Sequence, residues 1–416
     1  MKYSGVEWIG NVPDSWEIRK VKQCFYISKE QANQNNPTVL SLARSGVKVR
    51  DISNNEGQLA ASYDNYNVVK PGDLLLNPMD LYSGANCSLS NVNGVISPAY
   101  VNLRKSTELE AKFFDYYFKT QYWTMAMFAH GKGVSFDNRW TLNSEGLMNY
   151  KVPFPNLDVQ KSIVNILNTE AQKIDALIDI ENKQIQKLKD YKSSLIYKTV
   201  FSGICFKKSV ENKVLYLPPV NVNFALAPIG SLFKIKKDII GHNTDKVLSI
   251  TQNGIVKKDI SSNEGQMAES YDNYQIVNVG DFAMNHMDLL TGWIDISKFE
   301  GVTSPDYRVF ELKNPSMVSK YFLYVFQSYY TYKIFYGFGQ GVSFYGRWRL
   351  PAQNFNKILI PVPSIEEQKN IVDYLDSKCA QINGVIELKT KKVAILENYR
   401  KSLFFEYITG KKEVAA

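Results

Sequence analysis

Cysteine and histidine are scarce here, at four and three among 416 residues. Cys24, Cys87, Cys205 and Cys379 are scattered, with no CxxC pair, and none of His130, His242 and His286 lies near a cysteine. That spacing excludes a disulfide framework and a zinc site, and the thiols read as reduced. Long apolar runs are missing too. No stretch approaches the roughly 18 residues needed to cross a bilayer, and Met1-Lys2-Tyr3-Ser4-Gly5 has no apolar signal core. A cytoplasmic protein with no membrane partner is therefore expected. Charged residues make up 22% and hydrophobic ones 44%, which excludes wholesale disorder. The length is too great for one ordinary core, and the net charge of +8 tilts the balance toward a polyanion partner.

The informative presence is an internal repeat. Val39–Leu81 contains DISNNEGQLAASYDNYNVVKPGD, and Val247–Leu289 contains DISSNEGQMAESYDNYQIVNVGD, 208 residues later without a gap. Further on, Gly133-Val134-Ser135-Phe136 with Arg139-Trp140 matches Gly341-Val342-Ser343-Phe344 with Arg347-Trp348, and Val152-Pro153-Phe154-Pro155 matches Ile360-Pro361-Val362-Pro363. The period is far too long for a solenoid, so each copy is a domain plus a connector. The first part of each copy has short β-rich runs between turn residues such as Asn54-Asn55-Glu56-Gly57 and Pro71-Gly72-Asp73, with helical stretches such as Ala111–Phe118. This predicts an α+β fold of two similar globular domains, 1–157 and 205–363, separated by long helices at 158–204 and 364–411, with a pseudo-twofold plan.

The connectors read as helices because apolar residues recur in steps of four and three. The first seam is Leu167, Ala171, Ile174, Ile178, Glu181, Ile185, Leu188, Lys192 and Leu195. The second is Leu375, Cys379, Ile382, Ile386, Lys389, Val393, Leu396, Arg400 and Leu403, weakened but not ended by Gly384. Roughly 40 residues at about 1.5 Å each make a rod on the order of 60 Å. The preferred reading pairs the two helices with each other, antiparallel; packing of each helix on its own domain is the alternative. Glu181 and Lys389 occupy matching seam positions, where they either meet across the pair or lie at a solvated edge.

The opening Ser4-Gly5-Val6-Glu7-Trp8-Ile9-Gly10, then Val12-Pro13 and Trp16-Glu17, resembles the start of type I restriction–modification specificity subunits. The joins Val152–Pro155 with Gln160–Val164 and Ile360–Pro363 with Glu367–Val372 resemble that family's Pro-rich entries into its long helices. The helix ends near Lys192–Ile196 and Lys401-Ser402-Leu403-Phe404 with Thr409-Gly410-Lys411 fit as well. The resemblance implies a non-catalytic chain with two target-recognition domains, each reading one half of a split double-stranded DNA sequence. It implies two methyltransferase subunits bringing S-adenosylmethionine, and restriction subunits bringing ATP-driven cleavage with Mg2+, so that no cofactor belongs to this chain. A frame that binds methyltransferase subunits without reading DNA is the competing reading.

Base-edge and phosphate contacts need amide and basic side chains in loops. In the first domain the candidates are Arg44, Lys48, Arg50, Asn55, Gln58, Tyr63, Asn65, Lys132, Asn138 and Arg139. In the second they are Gln252, Lys257, Lys258, Asn263, Gln266, Tyr271, Asn273, His286, Gln340, Tyr345, Arg347 and Arg349. Asn and Asp in these motifs also make ordinary turns by bonding their own backbone. Positions that differ between copies, such as Arg44/Gln252, Pro78/His286 and Asp137/Tyr345, are better placed to read different bases. The extent of shared sequence predicts similar half-sites. Asn77-Pro78-Met79-Asp80 lacks the second proline and the aromatic of an amino-methyltransferase motif. Gly337-Phe338-Gly339-Gln340-Gly341 lacks the strand–helix context of a nucleotide loop.

Overall fold

The structure, a computed structural model, describes residues 1–31, 37–43, 45–52, 60, 62–79, 81, 86–133, 140–205, 209–211, 214–260, 268–341 and 348–413. Two compact units emerge: residues 1–182 with 391–416, and residues 183–390. Each unit therefore holds one copy of the repeated domain together with part of both long helices, Leu157–Ser202 and Ile365–Ile408.

In the first unit, four short strands form an antiparallel sheet in the order Phe25–Ile27, Val101–Lys105, Leu74–Leu76 and Cys87–Leu89. Leu74, Leu75 and Leu76 are all buried, because this inner strand is covered on both faces. One face packs on the helix Ala111–Trp123, whose Phe113, Phe114, Tyr117 and Phe118 are fully buried. The other carries a small satellite core of Leu40, Leu42, Val69, Leu75 and Ile96 beneath the hairpin Leu40–Ala43/Gly46–Val49. A closing strand, Lys151–Phe154, pairs with Glu17–Lys20 and leads straight into the first long helix.

The second unit repeats this plan. Its sheet runs Phe233–Lys236, Arg308–Leu312, Phe282–Met284 and Ile294–Ile296, its helix is Ser319–Thr331, and Leu359–Val362 closes on Ala225–Pro228. The registers of the two sheets correspond: Leu76 faces Val101 in one, and Met284 faces Arg308 in the other.

Both long helices begin with the same latch. Gln160 accepts the backbone N–H of Glu110 at 2.9 Å and donates to the carbonyl of Pro155 at 2.8 Å. Gln368 does the same with Val318 and Pro363, at 2.9 and 3.0 Å. Both amides are at least 99% buried and have donor and acceptor satisfied, so each ties a helix entry to the start of its domain's own helix.

The heptad pattern is written in the burial. From 172 to 190 every residue is exposed except 174, 178, 181, 185 and 188, and from 377 to 399 every residue except 379, 382, 386, 389, 393 and 396. Gly384 lies on the exposed side with open space around it, so the second helix passes through it. Within the first unit the helices run antiparallel: Arg400 bonds Asp175, and Lys392 bonds Glu181 at 2.6 Å. Within the second, Lys389 bonds Gln184 and Lys192 bonds Asn383 at 3.0 Å.

The helices also enter the domain cores, so pairing and packing on a domain are both realised. Ile163, Leu167, Ile174, Leu403, Phe404 and Ile408 belong to the first core, and Leu195, Phe201, Ile371, Leu375 and Ile382 to the second. The second helix ends at Gly410 (φ +70°), packed on Pro13 and Trp16, and Lys411 donates to the Ile9 carbonyl at 2.6 Å. The first ends at Gly203 (φ +75°), where Asn221 donates to the Ser202 carbonyl at 3.0 Å.

A candidate nucleic-acid interface

The residues that flank the shared GVSF…RW sequence are anchored alike in each domain. In the first, Lys132 and Thr141 exchange two backbone hydrogen bonds of 2.9 and 3.0 Å, and the Trp140 indole donates to the Phe128 carbonyl at 2.8 Å. In the second, Gln340 and Arg349 exchange bonds of 2.7 and 3.0 Å, and the Trp348 indole donates to the Tyr336 carbonyl at 2.8 Å. Gly131 and Gly339 lie flat against these indoles. A Cβ on Gly339 would stand 2.2 Å from Trp348 Nε1, which only glycine avoids. The glycine and tryptophan common to both copies thus hold the two described flanks of that sequence against each other.

A second segment is tied down from the side. The Tyr122 hydroxyl donates to the Asn77 carbonyl at 2.8 Å, and the Tyr330 hydroxyl to that of Asn285. The segments that resembled a methyltransferase motif are therefore held as structural turns, with Asn77 and Asn285 capping the N–H groups of Met79 and Met287 at 3.0 and 3.1 Å.

In the second unit the segment Asn285–Thr291, with Trp348 and Arg349, borders an open cleft of about 740 Å³. It brings together Lys258 and Arg349 with Tyr274, Asn285, Asp288 and Thr291. Exposed Gln252 reaches its edge and donates to the Thr291 carbonyl at 3.2 Å. Asp288 is partly buried, which raises its pKa. Hydrogen bonds from the Thr291 hydroxyl and the N–H groups of Thr291 and Leu290, with the charge of Lys333, outweigh this and hold it below the usual carboxylate value. The cleft thus offers cations, an amide, hydroxyls and two carboxylates, Asp288 and Asp306, a mixed set of donors and acceptors suited to base edges and, at its cations, to phosphate.

Other candidates are more dispersed. Lys48 is exposed and Arg50 half-buried at the satellite hairpin; Asn65 and Lys132 are exposed. Tyr63 packs edge-on to Tyr66, with ring centres 5.1 Å apart, against Val39 and Val95. Tyr271 is 6% exposed and packs likewise on Tyr274, so both rings serve satellite cores. Lys257 is exposed and covers the Phe299 ring, while Asn273 and Gln340 are exposed. Arg44, Asn55, Gln58, Asn138, Arg139, Asn263, Gln266, Tyr345 and Arg347 lie outside the described residues. Asn285, Asp288 and Thr291 escaped the sequence reading because no motif singles them out; their common loop after the buried strand Phe282–Met284 was the available signal.

His286 is largely buried and lines a different pocket. Burial, then the charges of Arg308 and Arg349, lower its pKa from 6.5 to about 4. Protonation therefore favours the unfolded chain. The stability that neutral His286 contributes is fully present above about pH 6.5 and is lost as pH falls toward 4, by about 3 kcal/mol in total. Urea unfolding of His286→Asn is expected to lack this part of the decline between pH 6.5 and 4; an unchanged pH profile would assign the decline elsewhere.

Residues 222–398 match the family model described as the type I restriction modification DNA specificity domain. The chain is 26% identical over 284 residues to a Methanocaldococcus jannaschii protein named as the type I restriction enzyme MjaX specificity subunit. That match spans 67% of this chain and 63% of the relative, less than two thirds of the relative's length. It is 24% identical over 367 residues to the type I restriction enzyme MjaVIII specificity subunit of the same organism, covering 83% of this chain and 80% of that one. A solved chain described under complex assembly and conformational transition of the type I R-M system shares the fold. It has a TM-score of 0.68 and 12% identity, and the match covers 97% of this chain and all of that one. The chain is thus similar in sequence to type I restriction enzyme specificity subunits, and residues 222–398 match their DNA specificity domain.

Proposed function

We propose that the chain is the non-catalytic DNA-reading subunit of a type I restriction–modification complex, and that it recognises a split sequence with one domain per half. The observation that carries this reading is that each copy of one domain is built into a unit with part of the same two helices. Two similar readers joined by continuous helix suit two half-sites at a set separation. The cleft with Lys258 and Arg349 supplies the phosphate- and base-directed groups of the second reader.

In the same proposal, methyltransferase subunits dock along the helices. Past the first turn of each helix, the exposed large apolar residues are Leu177, Ile180, Ile395 and Tyr399 in the first unit, and Tyr191, Val385 and Leu388 in the second. Each immediately precedes a seam residue, so all fall on one flank of the heptad, and in an antiparallel pair the matching flanks of both helices face the same side. Such a stripe fits partner helices better than water. S-adenosylmethionine belongs to those subunits, and ATP and Mg2+ to restriction subunits.

The test is a methylation map of DNA from cells expressing this chain with its neighbouring methyltransferase subunit, beside cells with that subunit alone. A split methylated motif appearing only with both is the expected result. A stable complex that adds no motif would replace the reading by that of a scaffold without DNA specificity.

A further inference from the structure

The second domain holds a buried cation that its first-domain counterpart lacks. Arg308 lies on an inner strand, 5% exposed, with its guanidinium over the Phe355 ring and one nitrogen donating to the Leu350 carbonyl at 2.7 Å. Among the described residues its Nη1 has no hydrogen-bond partner, and neither has Nδ1 of His286. Both residues line a pocket of about 400 Å³ whose wall includes Lys236, Lys237, Ile239 and Tyr307 and no carboxylate side chain. Lys236 is neutralised by Asp281 behind it, at 2.7 Å. By the matching sheet registers, Val101 and Pro78 stand in the first domain where Arg308 and His286 stand here.

An enclosed guanidinium with an idle N–H carries a desolvation cost that a protein tolerates when something offsets it. The first domain shows that an apolar residue fills this place without that cost. The acceptor that best matches a guanidinium is an oxyanion, which takes charge-assisted bonds and compensates the pocket's positive lining. We propose that the pocket around Arg308 is an oxyanion-binding site particular to the second domain. The oxyanion is either a free inorganic ion or a backbone phosphate of bound DNA. In the second case alone the site rests on the DNA-reading proposal.

Radiolabelled sulfate is the probe, in equilibrium dialysis with the full chain at constant ionic strength set by chloride. One sulfate per chain is expected, with at least ~10-fold weaker binding in Arg308→Val, the residue the first domain uses. Ile239→Trp alters a half-exposed residue at the pocket's mouth. It is expected to block binding without touching the buried strand, which keeps the test decisive if Arg308→Val fails to fold. Release of the sulfate by saturating duplex DNA identifies a DNA phosphate as the occupant; retention identifies a free oxyanion. Wild-type chain that takes up no more sulfate than Arg308→Val or Ile239→Trp overturns the site, whether or not the chain reads DNA.

Discussion

Inserting one heptad into each long helix, after Asn182 and after Thr390, is expected to widen the gap between the two halves of the methylated sequence by about three base pairs. Seven residues add about 10.5 Å of helix, and duplex DNA rises 3.4 Å per base pair. The insertion points fall at the boundary between the two compact units, so contacts such as Lys392–Glu181 and Lys389–Gln184 keep their partners. A whole heptad also preserves the seam, whereas four residues would turn the later half of each helix onto the wrong face. Methylome sequencing reads the outcome directly. An unchanged gap would mean that the helices do not set the separation, and loss of all methylation with an intact complex would mean that half-site spacing cannot be tuned through them.

A second large effect is expected at the buried ion pair of the second domain. Asp281 and Lys236 are 5% and 8% exposed and 2.7 Å apart, and Asp281 also accepts the N–H of Asn278 at 2.8 Å. Asp281→Ala strands a buried ammonium and is expected to cost about 3–5 kcal/mol in urea unfolding. A cost below about 1 kcal/mol would show that water reaches Lys236. The first domain solves the same problem from another strand. There Asp73 accepts from Arg104 at 2.8 and 2.9 Å and from Asn102 at 3.0 Å. Ser28 stands where Lys236 stands in the second domain, and Glu311 where Arg104 stands in the first. Lys236→Ser should therefore destabilise the second domain, and adding Glu311→Arg should recover more than half of the loss. No recovery would mean that the two solutions depend on more than their cations.

That exchange shows where a sequence is legible and where it is not. The helices could be read because a heptad repeats locally: each seam position is judged by neighbours three and four residues away. The repeat was legible because glycine, proline and tryptophan mark backbone needs at one position, as Gly339 and Trp348 do. The move of a cation from one strand to the next was not, because Lys236 and Asp281 are 45 residues apart and only the sheet register brings them together. The cleft followed the same rule. Lys258 and Arg349 were flagged by charge, but their grouping with Asn285, Asp288 and Thr291 depends on the Tyr330 tether and the Trp348 anchor, which pattern alone does not disclose. Tyr271, one of the candidate contacts, is spent on a satellite core.

The helix ends carry a consequence for connectivity. At one joint, Gly203 turns the chain out of the first long helix and the peptide continues toward the second domain. At the other, Gly410 makes the same turn, and Lys411 holds the beginning of the chain through the Ile9 carbonyl without a covalent link. Packing treats the two joints alike; only the backbone distinguishes them. Each domain is thus tied to the end of a long helix, the second through the backbone and the first through side-chain contacts, so the first domain's hold on its helix is reversible where the second's is covalent.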